Sequence, residues 1–194
     1  MDKFFQHNTF VIDEEIAAFK LSNTYRVYND KGEDIGAIQE HKNFLHFMLG
    51  IFLPDKMMPF ELHVLNEDGK CIAQLKRDIT FFTSIVRVFD ANNRFLAAVK
   101  QKFTLMKSHF SILNYKGQII ATIKGDWKAW KFIITDKTEQ PIGSVNKQWN
   151  GIAKELFTTA DKYIVNINPQ VTDEKTRMSI ASVAAAIDMI LKEV

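Results

Sequence analysis

One supersecondary unit recurs five times along the chain: an alternating strand, a turn rich in Asn, Asp and Gly, and a second strand. Such repetition constrains the fold strongly, because each unit must find neighbours that bury its apolar side chains. Asn and Asp side chains bond their own backbone in turns, and Gly accepts a positive φ. The pattern therefore predicts antiparallel β-hairpins. The five units span residues 25–38, 60–75, 85–99, 110–123 and 132–145.

The second strand of each unit has a signature of its own: an aliphatic residue, a small residue, any residue and another aliphatic. Side chains alternate between the two faces of a strand, so the small residue shares a face with the second aliphatic. A small residue that recurs on one face indicates that another element approaches that face closely. These small residues are Gly36, Ala73, Ala97, Ala121 and Gly143.

The segment 177–192 is the candidate for that element. Its Ala, Met and Leu residues favour a helix, which Thr172 or Asp173 can cap. A helix that is apolar on nearly every side must be buried, and its Ala and Ser residues make it slim. These features predict a mainly-β fold, in which a closed antiparallel barrel surrounds the helix. A β-propeller also fits the repeats, but it leaves this helix without a burial site.

Three positions test the buried helix. We expect Ala181, Ala184 and Ile187 to be nearly inaccessible to solvent. The substitution Ala184→Lys should abolish folding, because an unpaired charge in an apolar core is very costly. The 16 Phe residues of the chain would fill the space between the slim helix and the barrel.

Length and composition exclude several classes of protein. The chain has 194 residues and no linker or low-complexity tract, so we expect a single domain over residues 1–194. Its lone cysteine, Cys71, excludes an intrachain disulfide framework and a Cys-rich zinc site. The N-terminus does not read as a secretory signal, and no apolar run is suited to spanning a bilayer as a helix. These features favour a cytoplasmic protein.

An apolar segment lies outside the hairpin repeats. It runs from Phe44 to Pro59 and joins the first two hairpins, and its long apolar run, Phe44–Leu53, is the candidate partner surface. The simpler interpretation is a strand or short helix packed on the barrel. The sharper interpretation is an exposed apolar flap that binds a lipid or a protein partner.

Charge is unevenly distributed, although the total is only +2. Residues 100–154 contain ten lysines against Asp126, Asp136 and Glu139, a net charge of +7, with tryptophans interspersed. Basic side chains beside amphipathic aromatics suit an anionic lipid headgroup surface. A solvated face with its tryptophans packed inward is the alternative. The candidate lipid-binding or anion-binding residues are Lys100, Lys102, Lys107, Lys124, Lys128, Lys131, Lys147, Trp127 and Trp130.

No pattern of residues indicates catalysis or a cofactor. His41 and His46 share neither a helix face nor a strand face well, so we do not expect them to bind a metal. Cys71 follows a turn in a predicted strand and reads as a small hydrophobic residue. Phosphate-binding and nucleophile-elbow motifs are absent, and no Arg-rich motif suggests nucleic acid. We therefore expect a non-enzymatic protein without cofactors or a metal.

The residues from Ile142 to Tyr163 read IGSVNKQWNGIAKELFTTADKY. This run resembles the signature of phospholipid scramblases, of LURP-one-related proteins and of their small bacterial relatives. The specific parts are Lys-Gln-Trp-x-Gly at 147–151 and Lys-Glu-Leu-Phe-Thr at 154–158, and the similarity covers roughly residues 22–192. The resemblance implies the tubby C-terminal fold, a twelve-stranded barrel around a central apolar helix. It also implies a lipid partner, such as an anionic membrane lipid or a phosphoinositide-like headgroup.

Two departures from the scramblase pattern limit what the resemblance implies. Residues 78–85 match a stretch that carries lipidated cysteines in scramblases, but they contain no Cys. The acidic segment proposed to bind calcium in scramblases retains only Asp161, followed by Lys162, and Ca²⁺ requires several oxygen ligands. We therefore predict a tubby-like lipid-binding module, peripheral at the inner membrane surface. The alternatives are a protein-interaction scaffold that uses the apolar segment, and lipid scrambling.

Overall fold

The protein is a closed antiparallel β-barrel of twelve strands. The computed structural model describes residues 2–14, 23–42, 48–54, 57–80, 83–102, 108–126, 130–147 and 162–191. Each strand pairs with the next in chain order, and the last strand closes the barrel against the first. The strands are β1 (Thr9–Glu14), β2 (Thr24–Tyr28), β3 (Asp34–Glu40), β4 (Phe60–Asn66), β5 (Cys71–Arg77), β6 (Ile85–Asp90), β7 (Phe95–Lys102), β8 (Ser108–Asn114), β9 (Ile119–Asp126), β10 (Lys131–Asp136), β11 (Pro141–Asn146) and β12 (Lys162–Ile167).

The five predicted hairpins are present, and their turns share one geometry. In each turn the side-chain oxygen of the first residue, Asn or Asp, accepts hydrogen bonds from the backbone N–H groups two and four residues later. The fourth residue has a positive φ, between 58° and 81°. Glycine takes this position in three turns, whereas Asn93 and Glu139 take it in the others. The turns are 29–33, 66–70, 90–94, 114–118 and 136–140.

The recurring small residues of the second strands lie opposite β-bulges. Every hairpin has one register shift, and in each case the small residue pairs with the last residue before that shift. A bulge bends its strand and increases the local twist, which a sheet needs in order to close. Ala73 and Ala97 also face the barrel interior on two strands that contact the helix. At Gly36, in contrast, the close neighbour is the backbone of the adjacent strand.

We expect Gly36→Ala to lower the free energy of unfolding by about 3 kcal/mol. Gly36 has a φ of +149°, and an added Cβ would lie 2.1 Å from the carbonyl oxygen of Leu65. Gly69→Ala is the matched control, because Gly69 has a φ of +73° but no atom within 4 Å of the added Cβ. Its cost should be about 1 kcal/mol, from backbone strain alone. Urea unfolding measures both values, and equal costs would contradict the steric argument.

The two ends of the barrel differ in their connections. The tight turns 29–33, 66–70, 90–94, 114–118 and 136–140 all lie at one end, which we call the turn end. The connections that follow β1, β3, β5, β7, β9 and β11 lie at the opposite end, since neighbouring strands are antiparallel. We call this the long-loop end. The chain leaves β12 at the turn end and enters the helix there.

The long helix α1 (Glu174–Leu191) belongs to the same hydrophobic core as the inward-facing strand residues. It packs against β5, β6, β7 and β12. Ala181 and Ile187 are buried as predicted, whereas the side chain of Ala184 lies outside the described residues. The barrel interpretation is thus confirmed and the propeller is wrong. Within the described residues, no helix combines the length and apolar character that crossing a membrane requires.

A short 3₁₀ helix (Lys3–Gln6) covers the turn end beside the start of α1. Its Phe4 and Phe5 are buried. Arg177 of α1 fixes this segment, because its guanidinium donates to the carbonyl oxygens of residues 5, 6 and 7, to the Asn8 side chain and to the carbonyl of Val171. Burial of this guanidinium lowers the pKa of Arg177 from its usual value.

Candidate functional site

Three candidate lysines point outward from the same part of the barrel wall, two of them on adjacent strands and the third beyond β8. Lys100 on β7, Lys124 on β9 and Lys131 on β10 are exposed, and each lies next to a buried, inward-facing residue. We call these three residues the lysine face. Lys131 pairs with Asp126 across β9 and β10, and Lys124 pairs with Ile133, so the two lysines are diagonal neighbours. Such neighbours are about 7–8 Å apart.

The lysine face has a mixed environment. The Lys124 ammonium lies 3.1 Å from a carboxylate oxygen of Glu139, with both side chains well exposed. Asp126 is the cross-strand neighbour of Lys131. Ile133, which is 50% exposed, lies between the two lysines and adds an apolar contact. Glu139 belongs to the turn that begins at Asp136. In that turn, a hydrogen bond from the Thr138 side chain and bonds from backbone N–H groups lower the pKa of Asp136. Exposed ion pairs are weak, so an anionic ligand can compete for Lys124.

Trp130 and Lys147 pack on each other at the long-loop end. Trp130 is half-buried, and its ring centroid lies 4.7 Å from that of Tyr163 and 6.2 Å from that of Phe132. The Lys147 ammonium lies 5.6 Å from the centre of the Trp130 ring and 5.8 Å from that of Tyr163. Trp130 therefore packs inward, and a cation–π contact occupies its outer side. We do not include this pair in the lysine face.

Several of the candidate residues are not described by the structure. Lys102 ends β7 and pairs with His109, but its side chain lies outside the described residues. Lys107, Trp127 and Lys128 lie outside them entirely, as do residues 148–161 of the motif. Lys100, Lys124 and Lys131 are the candidate lysines whose exposed side chains form the described part of the site.

The apolar segment forms a helical turn at residues 48–50. The interpretation of a segment packed on the barrel is correct at Met58, which is buried, but it is wrong at Ile51 and Phe52, which are 70% and 77% exposed. Met48 is 43% exposed. We call Met48, Ile51 and Phe52 the apolar tip. Residues 43–47 lie outside the described part of the chain.

The histidines and the cysteine have ordinary contacts. The rings of His41 and His63 stack with centroids 5.4 Å apart, and His63 Nε2 lies 2.8 Å from a Glu61 carboxylate oxygen. Burial alone would raise the pKa of Glu61, but hydrogen bonds from His63 and Lys76 lower it. Cys71 is half-buried. Among the described residues, no three His, Cys, Asp or Glu side chains are placed to hold a metal ion.

The sequence interpretation did not single out Arg177 or the bulges. Arg177 was visible as a charged residue near the start of a long apolar helix, and such a charge needs buried partners. Its partners are backbone carbonyls about 170 residues away in the chain, which no local pattern identifies. The outward direction of each lysine follows from alternation along its own strand, which is a local pattern. The contacts of Lys131 with Asp126 and of Lys124 with Glu139 depend on how the strands pair.

Comparisons with known proteins identify a matching family model, similar proteins and a solved structure of the same fold. A family model described as Scramblase matches residues 6–193. A phospholipid scramblase family protein of Schizosaccharomyces pombe is 22% identical over 90% of this chain, which spans about half the length of that relative (51%). Human phospholipid scramblase 2 is 23% identical over the whole chain and 68% of its own length. An Arabidopsis thaliana protein solved by X-ray crystallography shares the fold, with a TM-score of 0.56, 11% identity and 96% coverage of each chain.

Proposed function

The chain belongs to the scramblase family, and from this membership we propose that it binds anionic phospholipid headgroups at a membrane surface through the lysine face. The observation that supports the proposal most directly is the set of exposed, outward lysines on β7, β9 and β10. We propose that this binding is non-enzymatic. No metal takes part in the proposed contact, because the lysine ammonium groups supply the positive charge.

The expected affinity follows from the charges of the lysine face. Each basic residue near an anionic membrane contributes about 1 kcal/mol, so three lysines favour binding by about 3 kcal/mol. Ile133 can add a shallow apolar contact beside the headgroups. Salt screens exposed charges, so binding should weaken strongly as ionic strength rises.

The double variant K124Q/K131Q should bind anionic vesicles about 30-fold more weakly than the natural chain, because two charges of about 1 kcal/mol each are removed. Co-sedimentation with phosphatidylcholine vesicles that contain phosphatidylserine measures the loss. The matched control is K31Q/K70Q, which removes two exposed lysines from tight turns at the opposite end of the barrel. This control should bind within a factor of two or three of the natural chain.

Two results would reject the lysine face. One is equal loss of binding in K124Q/K131Q and K31Q/K70Q, which would indicate attraction by total charge alone. The other is failure of the natural chain to bind anionic vesicles in low salt. Thermal unfolding of every variant shows that the barrel is intact before binding is compared.

Lipid scrambling is the second candidate function, because relatives named phospholipid scramblases match most or all of this chain. Proteoliposomes that hold this chain alone and a fluorescent phospholipid test it. Accelerated loss of inner-leaflet label to an external quencher would favour scrambling over binding alone.

A further inference from the structure

The apolar tip exposes large apolar side chains to solvent more fully than the rest of the described surface does. Among the described residues, Ile51 and Phe52 are the two most exposed large apolar side chains, and they are adjacent on the connection between β3 and β4. Burying a large apolar side chain contributes about 1.5–3 kcal/mol relative to leaving it in water. Two such residues held together in solvent indicate a contact surface.

The backbone at the tip is suited to an apolar environment. The N–H groups of Ile51, Phe52 and Leu53 donate to the carbonyls of Met48 and Leu49, at distances of 2.9–3.4 Å. Unpaired backbone donors are costly in lipid, and here three donors are already satisfied within the tip. Residues 48–54 also contain no charged side chain, so insertion carries no penalty for burying a charge.

The connection between β5 and β6 is bonded to the last part of the β3–β4 connection. The Thr80 N–H, between β5 and β6, donates to the Met57 carbonyl at 3.2 Å, which holds the two connections together. Ile79, beside it, is 40% exposed. A Cβ at Gly50 would lie 3.7 Å from Cε of the buried Met58, next to Met57, so the tip packs on this part of the long-loop end.

The tip and the lysine face share one end of the barrel. Lys131 begins β10 at the long-loop end, and the backbone of Lys124 lies near that end of β9, although its ammonium reaches back to Glu139 in the turn 136–140. The β3–β4 connection lies on the opposite side of the barrel wall, six strands away in the pairing order. A flat surface can contact both only when it faces the long-loop end.

We propose that the apolar tip inserts into the boundary between headgroups and acyl chains, so that the barrel stands with its long-loop end against the bilayer. This inference rests on the proposed function, since the lysine face supplies the charge complementarity that selects an anionic bilayer as the occupant. The lysines bind headgroups, and Ile51 and Phe52 enter the apolar layer beneath them. The turn end, with its five tight turns, faces away from the membrane.

A fluorescent label at the tip tests this orientation directly. Cys71→Ser removes the lone cysteine, and Phe52→Cys then accepts one environment-sensitive fluorophore. The matched control is Phe95→Cys, because Phe95 is 38% exposed and begins β7 at the turn end. With vesicles of phosphatidylcholine and phosphatidylserine, we expect a blue shift and quenching by acyl-chain-brominated lipid at position 52. Position 95 should show neither effect.

A binding measurement separates this inference from the proposed function. The double variant I51S/F52S should bind the same vesicles at least tenfold more weakly, whereas F95S/I119S, with two exposed residues at the turn end, should bind normally. If I51S/F52S binds normally while K124Q/K131Q does not, the inference fails and the proposed function stands. If the natural chain binds no vesicles, both fail. A light-scattering dimer that I51S/F52S converts to a monomer would make a second copy the occupant and overturn the inference.

Discussion

Replacing Arg177 with Met is expected to lower the free energy of unfolding by about 4 kcal/mol, because several buried backbone carbonyls lose their donors together. Arg177 is 4% exposed, and its guanidinium donates to the carbonyls of residues 5, 6 and 7 at 2.7–3.3 Å. Met retains apolar bulk but donates no hydrogen bond. The 3₁₀ helix would then lose its link to α1, and with it the burial of Phe4 and Phe5.

Arg87→Met is the matched control for this substitution. Arg87 is half-buried, but its side chain reaches solvent and pairs with the exposed Asp78, where ion pairs contribute about 0–1 kcal/mol. Arg177→Lys should give an intermediate loss, since an ammonium cannot reproduce the planar fork of a guanidinium. Chemical unfolding compares the three variants. A loss of less than 1 kcal/mol for Arg177→Met would show that the N-terminal segment holds its place without this clamp.

Local patterns were sufficient to predict the hairpins and the helix. The turn from Asn114 to Gln118 needs only an Asn at its start and Gly117 at its positive-φ position, and both are visible in five consecutive residues. The helix needs only its composition and its lack of a polar face. These two predictions together required a closed barrel, because no other arrangement buries the helix on most sides.

Contacts between distant residues could not be predicted in the same way. The bulge opposite Gly36 arises from the register of β2 and β3, and the close approach of Leu65 arises from the pairing of β3 with β4. The clamp at Arg177 joins the two ends of the chain. A sequence shows which polar or charged residues would destabilise the fold if they were buried without a partner. Which residue becomes that partner depends on the assembled barrel.

The features of the candidate site likewise divide into those that a local pattern predicts and those that depend on contacts between distant residues. A lysine-rich segment was evident in the sequence, but the placement of Lys124 beside Lys131 on the outer face depends on the register of β9 and β10. The inward packing of Trp130 was one of two open alternatives, and its contact with Tyr163 depends on strands that are distant in the chain. The exposed apolar tip was likewise an alternative, because exposure cannot be read from an apolar run alone.

Ala181→Lys is expected to abolish the folded barrel. Ala181 is 4% exposed, and helical side chains lean towards the N-terminus of their helix. A lysine there would point towards Arg177, four residues earlier on the same helix face, so the buried guanidinium and the 3₁₀ helix would block its path to water at the turn end. An unpaired buried charge costs several kcal/mol, and repulsion from Arg177 adds to it. The total is comparable with the about 5–15 kcal/mol by which most domains are stable.

The control for this substitution introduces the same side chain where water can solvate it. Ala91 lies in the exposed turn 90–94, so Ala91→Lys should change the free energy of unfolding by less than about 0.5 kcal/mol. Far-ultraviolet circular dichroism and size-exclusion chromatography distinguish a folded barrel from an unfolded or aggregated chain. If Ala181→Lys unfolds at the temperature of the natural chain, the new ammonium has reached water, and α1 cannot be enclosed by the barrel at that position. Loss of structure in Ala181→Lys but not in Ala91→Lys would instead show that the barrel encloses α1 at this position and requires an apolar helix there.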